Sequence, residues 1–147
     1  MGERRQFCSF FLDGLRFGVD VRKVQEVVAY QEMTRVPLAP PTVRGLLNLR
    51  GQIITGIDLR RRLELPERPA DHLPMNVVLR GEDCPVSFLV DEIGEVIEVD
   101  ADAGELPPDT LRGRARELIQ RVYSLPDELL LVLDTAKTLD LTPTTPR

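Results

Sequence analysis

Strand patterning dominates the distribution of apolar and polar positions along the chain. Residues 7–12 and 16–20 are apolar-rich and flank Asp13-Gly14, a pair suited to a two-residue hairpin turn because both positions tolerate positive φ. Residues 46–49 and 53–57 repeat that arrangement around Arg50-Gly51. The segments 24–30, 52–58, 77–80, 86–90 and 93–99 are rich in β-branched side chains. Residues 129–133 form a continuous apolar run of strand length between Pro126-Asp127 and Asp134. Helical patterning is sparse. It predicts one turn over 59–63 after Asp58 and another over 135–139 after Asp134, each aspartate serving as an N-cap. A third helix is predicted within 111–120, which is rich in Arg, Glu and Leu.

The pattern recurs within the chain. Val24-Gln25-Glu26-Val27-Val28 is echoed by Ile93-Gly94-Glu95-Val96-Ile97, Val36-Pro37 by Leu106-Pro107, and Ile57-Asp58-Leu59 by Leu133-Asp134-Thr135. A hairpin precedes the first block of each half, and a strand ending on Asp follows the last. Two small antiparallel barrels of about five strands each are expected, joined where Pro66, Pro69 and Pro74 cluster. The expected bounds are about 14–64 for the first barrel, 64–74 for the linker and 75–134 for the second. The N-terminal strand and the C-terminal turn are free to exchange between barrels.

Composition narrows the function. A chain of 147 residues suits one ordinary domain or two very small ones. It buries about 68–70% of its unfolded surface, enough for a core without crosslinks. A net charge of −5 argues against general nucleic-acid binding, and the arginines at 60–62 and at 112, 114 and 116 lack interleaved aromatics, so both groups read as solvated faces. Cys8 and Cys84 form no CxxC pair and read as two reduced, buried thiols in a cytoplasmic protein. No apolar run reaches the 18–20 or so residues a membrane helix needs, so any membrane link would go through a partner. The start of the chain and the Pro- and Thr-rich 142–147 tail read as the ends of a complete small protein.

Catalytic and metal chemistry find little support. The one histidine, His72, lies in the proline-flanked linker and reads as a solvated loop residue. A nucleophilic triad or dyad would have to use it, and no serine stands in a GxSxG turn. Two cysteines 76 positions apart with one histidine do not make a zinc site. The acidic pair Asp91-Glu92 and residues 100–102 read as solvated turns rather than paired catalytic acids. A non-enzyme without cofactor or metal is expected. A small enzyme on a barrel scaffold would need a pocket of converging titratable groups.

Residues 43–60, VRGLLNLRGQIITGIDLR, carry the most specific signal. A guanidinium at a hairpin apex is not buried cheaply, so Arg50 is solvent-facing, paired with a carboxylate or offered to another molecule. The same stretch resembles the signature of the CheW family of chemotaxis coupling proteins. The resemblance continues in order through Phe17-Gly18-Val19, Val24-Gln25-Glu26-Val27, Val36-Pro37, Val43-Arg44-Gly45, Leu89-Val90-Asp91, Glu95-Val96 and residues 129–134.

The resemblance implies a mainly β fold of two packed SH3-like barrels with a groove between them. It also implies a non-catalytic adaptor that joins the signalling tip of a transmembrane chemoreceptor to the regulatory domain of the histidine kinase CheA. Val24, Val27, Met75, Ser87 and Val96 match the receptor-binding groove, Glu26 and Arg50 a charged pair, and Val36, Pro37, Gly45 and Leu46 the kinase-binding surface. Glu26 and Arg50 are expected as a partly buried pair. Gly45 is expected to need positive φ or close approach, and a bulky residue there to strain the strand or block a partner. A free monomer that enters ring-like arrays with the kinase is implied, cytoplasmic and membrane-associated only through receptors.

Thr55, Gly56, Ser87 and Arg121 depart from the family pattern, with Gly56 expected to loosen its strand by about 0.5–1 kcal/mol. These departures leave open a paralogue in a non-flagellar pathway, an array scaffold without kinase activation, or the CheW-like domain of a larger kinase.

Overall fold

A computed structural model describes residues 3–81, 84–111 and 113–140. Arg112 and the 142–147 tail lie outside them. The chain is mainly β. Strands β1 (Arg4–Leu12), β2 (Leu15–Asp20), β3 (Val24–Val28), β4 (Val43–Leu49) and β5 (Gln52–Asp58) lead into the short helix α1 (Leu59–Arg62). Strands β6 (Met75–Leu79), β7 (Val86–Val90) and β8 (Glu92–Asp100) follow, then α2 (Gly113–Leu118), β9 (Ile119–Ser124), β10 (Leu129–Leu133) and α3 (Thr135–Leu139). Both hairpin turns form as their sequences require. Asp13-Gly14 and Arg50-Gly51 all take positive φ, at 50°, 79°, 54° and 86°. Asp58 and Asp134 cap α1 and α3 by accepting from the backbone N–H groups of Arg61 and Lys137.

The strands form two five-stranded sheets, ordered β3-β6-β7-β5-β4 and β8-β1-β2-β10-β9. The two orders match strand for strand, including one parallel contact each, β5 with β7 and β2 with β10. Each sheet closes toward a barrel through a single bridge onto its far edge. Thr34 pairs with Leu46 of β4, and Glu105 pairs with Val122 of β9. The internal repeat is therefore structural: β3 and β8 are equivalent edge strands, and β5–α1 is equivalent to β10–α3. The Val36-Pro37 and Leu106-Pro107 loops each follow an equivalent bridge.

The sheets do not divide the chain at 64–74, and they are not 14–64 and 75–134. Strands β3–β7 make one sheet, while β1–β2 joins β8–β10 in the other. Whole hairpins are exchanged, because the parallel contacts attach β7 to β5 and β2 to β10 across long stretches of sequence. Strand β9 was not anticipated within its Arg- and Glu-rich surroundings. Helix α2 occupies only the middle of the expected 111–120 segment.

Three apolar clusters hold the molecule together. Phe7, Val99, Tyr123, Leu130 and Val132 pack within one sheet, and Leu47, Leu49, Ile54 and Val78 within the other. The largest cluster is shared: Phe10, Leu12, Phe17 and Val19 meet Ile57, Leu59, Val77, Leu79, Phe88 and Val90, with Leu118 and Leu131. Of the two cysteines, Cys8 borders this shared core and burial pushes its thiol up, whereas Cys84 is exposed rather than buried.

Candidate partner-binding surfaces

The groove candidates separate by strand. Val24 and Val27 lie on β3 and Val96 on β8, the free edges of the two sheets. Val27 is 40% and Val96 53% exposed, unusual for valines on strands, so both are available to a partner. Val24 and Met75 are half-buried against the shared core, together with Cys8 and Ile93. Val96 stands opposite Cys8 in the β1–β8 register. Val24 and Met75 thus border the seam where the sheets meet, whereas Val27 and Val96 lie exposed on the two sheet edges.

Ser87 does not. It is completely buried on β7, where its hydroxyl donates to Asn76 Oδ1 at 2.7 Å. The Asn76 amide in turn donates to the Ala29 carbonyl at 3.1 Å, just beyond β3. The extra hydroxyl is satisfied internally and tethers the end of β3, so its influence on a groove is indirect.

The β8 edge is shaped by an irregularity in its pairing with β1 between Cys8 and Phe10. The Ser9 hydroxyl donates to the Glu95 carbonyl at 2.5 Å and accepts from Arg16 at 3.3 Å. Arg16 lies over the Phe11 ring at 4.6 Å and pairs with Glu128 at 3.1 Å. A Cβ on Gly94 would fall 2.5 Å from the Ser9 hydroxyl, so glycine is what lets the bulge close.

Glu26 and Arg50 do form an ion pair. Arg50 sits on the β4–β5 turn and Glu26 on β3, so the pair clasps the two edges of one barrel. It is more open than expected: the Arg50 side chain is 68% exposed and that of Glu26 24%. A pair this exposed contributes only about 0–1 kcal/mol, so the larger penalty of a buried pair does not apply.

The kinase-surface candidates also differ among themselves. Val36 and Pro37 are exposed on the loop that follows the Thr34 bridge, and the next residue, Leu38, is fully exposed with φ of 68°. Beneath them lies an open cleft of about 690 Å³ lined by Val36, Pro37, Leu38, Pro40, Arg44 and Arg61. Gly45 is buried, and a Cβ there would stand 2.6 Å from the Thr34 carbonyl oxygen. Close approach and a φ of 158° both favour this glycine, and it touches the loop rather than solvent. Its register partner Gly56 lies under Met33, whose sulfur would be 2.9 Å from an added Cβ. Gly56 is therefore a seat for Met33 and not simply a loosened strand position. Leu46 is half-buried and exchanges both backbone hydrogen bonds with Thr34 at 2.8 Å.

Asp91 and two of the three arginines at 60–62, read as solvated, are not, while Arg61 is exposed. Asp91 is half-buried between β7 and β8 and receives hydrogen bonds from Arg60, Arg68 and the Asp13 backbone. Burial pushes its carboxyl up, but those donors outweigh burial and hold it below the ordinary value. Arg60 is itself buried, Arg61 pairs with Glu67, and Arg62 binds backbone carbonyls of α3 and Asp140. Further on, Arg114 pairs with Glu117, and Arg116 donates to the Pro108 carbonyl. Arg121 is exposed on β9, at the position equivalent to Gly45 in the other barrel. Among the described residues no group of three His, Cys, Asp or Glu is placed to hold a metal, and no helix is long and apolar enough to cross a membrane.

Comparison with known proteins agrees with this architecture. The CheW-like domain family model matches residues 6–142. The chemotaxis protein CheW of Treponema pallidum is 33% identical over 139 residues, covering 92% of this chain and 82% of that protein. That of Bacillus subtilis is 30% identical over 131 residues, covering 89% and 84%. The crystal structure of the scaffolding protein TtCheW from Thermoanaerobacter tengcongensis superposes with a TM-score of 0.83 at 24% identity, over 95% of both chains, and shares the fold of two SH3-like barrels. With its sequence matched over residues 6–142 and the ten strands of the described residues arranged as two equivalent five-stranded sheets, this chain belongs to the CheW family of chemotaxis adaptors.

Proposed function

We propose that this protein is a non-catalytic adaptor that couples chemoreceptors to the histidine kinase CheA. The family match over residues 6–142 carries the reading. The geometry supports it with two separate exposed apolar surfaces, one at the seam between sheets and one on the loop of a single barrel. Val24, Val27, Met75 and Val96 receive an apolar stripe of the helical receptor tip, in the manner of a helix laid in a groove. Val36 and Pro37, with the neighbouring Leu38, meet the kinase regulatory domain, and Gly45 and Leu46 hold that loop in place. The Arg50–Glu26 clasp sets the hairpin apex relative to β3. Signal passes between the two surfaces as a coupling free energy, without bond chemistry. The protein works in the cytoplasm and reaches the membrane only through receptor arrays.

Calorimetric titration against the CheA regulatory domain tests this reading, with a receptor-tip coiled coil as the second ligand. Saturable one-to-one binding of the kinase domain, weakened by Val36→Asp in a folded protein, is the expected result. Receptor binding without kinase binding would replace coupling with an array-scaffold role. Binding of neither partner by the folded protein would overturn both.

A further inference from the structure

Two of the three consecutive arginines of α1, Arg60 and Arg62, reach away from their own barrel. Arg60 Nε donates to Asp91 Oδ1 at 2.9 Å, and its Nη2 donates to the other carboxylate oxygen. Arg60 Nη1 donates to the Pro66 carbonyl at 2.9 Å, which pins the linker. Asp91 is the one residue between β7 of one sheet and β8 of the other. Its Oδ2 accepts from the Asp13 N–H at 2.8 Å, and its own N–H donates to the Phe11 carbonyl at 3.0 Å, both in the β1–β2 hairpin of the opposite sheet. Arg62 crosses in the same direction: it donates to the carbonyls of Lys137, Thr138 and Asp140, at and beyond the end of α3, at 2.8–2.9 Å. The C-terminal end of that helix offers orphan carbonyls that a cation satisfies well.

The shared apolar core attracts the sheets without specifying an angle, because apolar burial is non-directional. Charged, bidentate hydrogen bonds do specify one. We propose that Arg60, Arg62 and Asp91 are positioning residues that fix how the two sheets meet. Through that angle they align Val24, Val27 and Met75 on one sheet with Val96 on the other. The functional part rests on the receptor-groove reading above; the structural part does not.

The test places spin labels at Gln25→Cys on β3 and Glu98→Cys on β8, with Cys8→Ala and Cys84→Ser to remove the native thiols. Inter-label distances are compared between this parent and its Asp91→Asn, Arg60→Lys and Arg62→Gln variants, each required to melt in one cooperative step. A shifted or broadened distance is expected, together with about a tenfold loss of affinity for the receptor-tip coiled coil, within the usual range for coupled sites. Kinase-domain affinity should be unchanged, because Val36 and Pro37 belong to one barrel alone. If Asp91→Asn fails to fold, Arg62→Gln, the more exposed position, carries the comparison. A folded variant whose distances match the parent overturns the proposal. Because the distances need no partner, a parent that binds no receptor would sink only the receptor reading.

Discussion

Gly45 and Gly56 face one another across β4 and β5, and together they form the seat for Met33 and Thr34. Because a Cβ at position 45 would stand 2.6 Å from the Thr34 oxygen, backbone must move to accept even alanine. Gly45→Ala is expected to cost about 1–3 kcal/mol, as overpacked sites do, measured by urea unfolding. The same variant should weaken kinase-domain binding by loosening the Val36-Pro37 loop, although residue 45 itself stays buried. Arg50 presents the opposite case. Its guanidinium is mostly exposed, so Arg50→Ala should lower stability by no more than about 1 kcal/mol. A clear fall in partner affinity with that small cost is the expected outcome. A large fall in the urea midpoint would instead make the clasp a requirement for closing the barrel.

At the level of elements, the proposed receptor surface falls on the edge strands β3 and β8. Val27→Asp and Val96→Asp should each leave stability within about 0.5 kcal/mol, since both side chains are substantially exposed. Each should abolish binding of the receptor-tip coiled coil in a titration; retained affinity in both would remove the groove assignment. These strands were legible because β-branched residues are concentrated in them, and the hairpins because Asp13-Gly14 and Arg50-Gly51 accept positive φ. Strand β9 was not, because its first two residues, Ile119 and Gln120, read as the end of the Arg-, Glu- and Leu-rich helix just before it. The assignment of hairpins to sheets was also illegible. It depends on the parallel contacts Thr55–Val86 and Phe17–Leu131, and nothing local in either partner announces them. Burial of Ser87 escaped sequence reasoning for a related reason: its partner Asn76 lies 11 positions away on another strand.

For the whole molecule, the arrangement of two barrels depends on a charge cluster that sequence reasoning assigned to solvent. A run of arginines and an Asp-Glu pair look like a wet surface until the fold brings them together at 2.9 Å. The Asp91, Arg60 and Arg68 side chains are only 12%, 9% and 6% exposed, so removing the carboxylate takes the hydrogen-bonded counter-charge from two buried guanidiniums and leaves Arg60 only the longer pair with Asp13 at 3.9 Å. Asp91→Asn is accordingly expected to destabilise the protein by about 3–5 kcal/mol in guanidinium unfolding. The pH dependence follows from the direction of the shift. A carboxyl whose folded pKa lies below its unfolded value contributes stability that is complete above the unfolded value, here 3.8, and is lost as pH falls through the lower folded value. Acid unfolding of the parent should therefore steepen below pH 3.8, and Asp91→Asn, already lacking the contribution, should show a shallower dependence there. If parent and variant have parallel stability curves across that acid range, the carboxylate is not the group that titrates. The inter-barrel fastener would then have to rest on the arginine–carbonyl contacts of Arg62 alone.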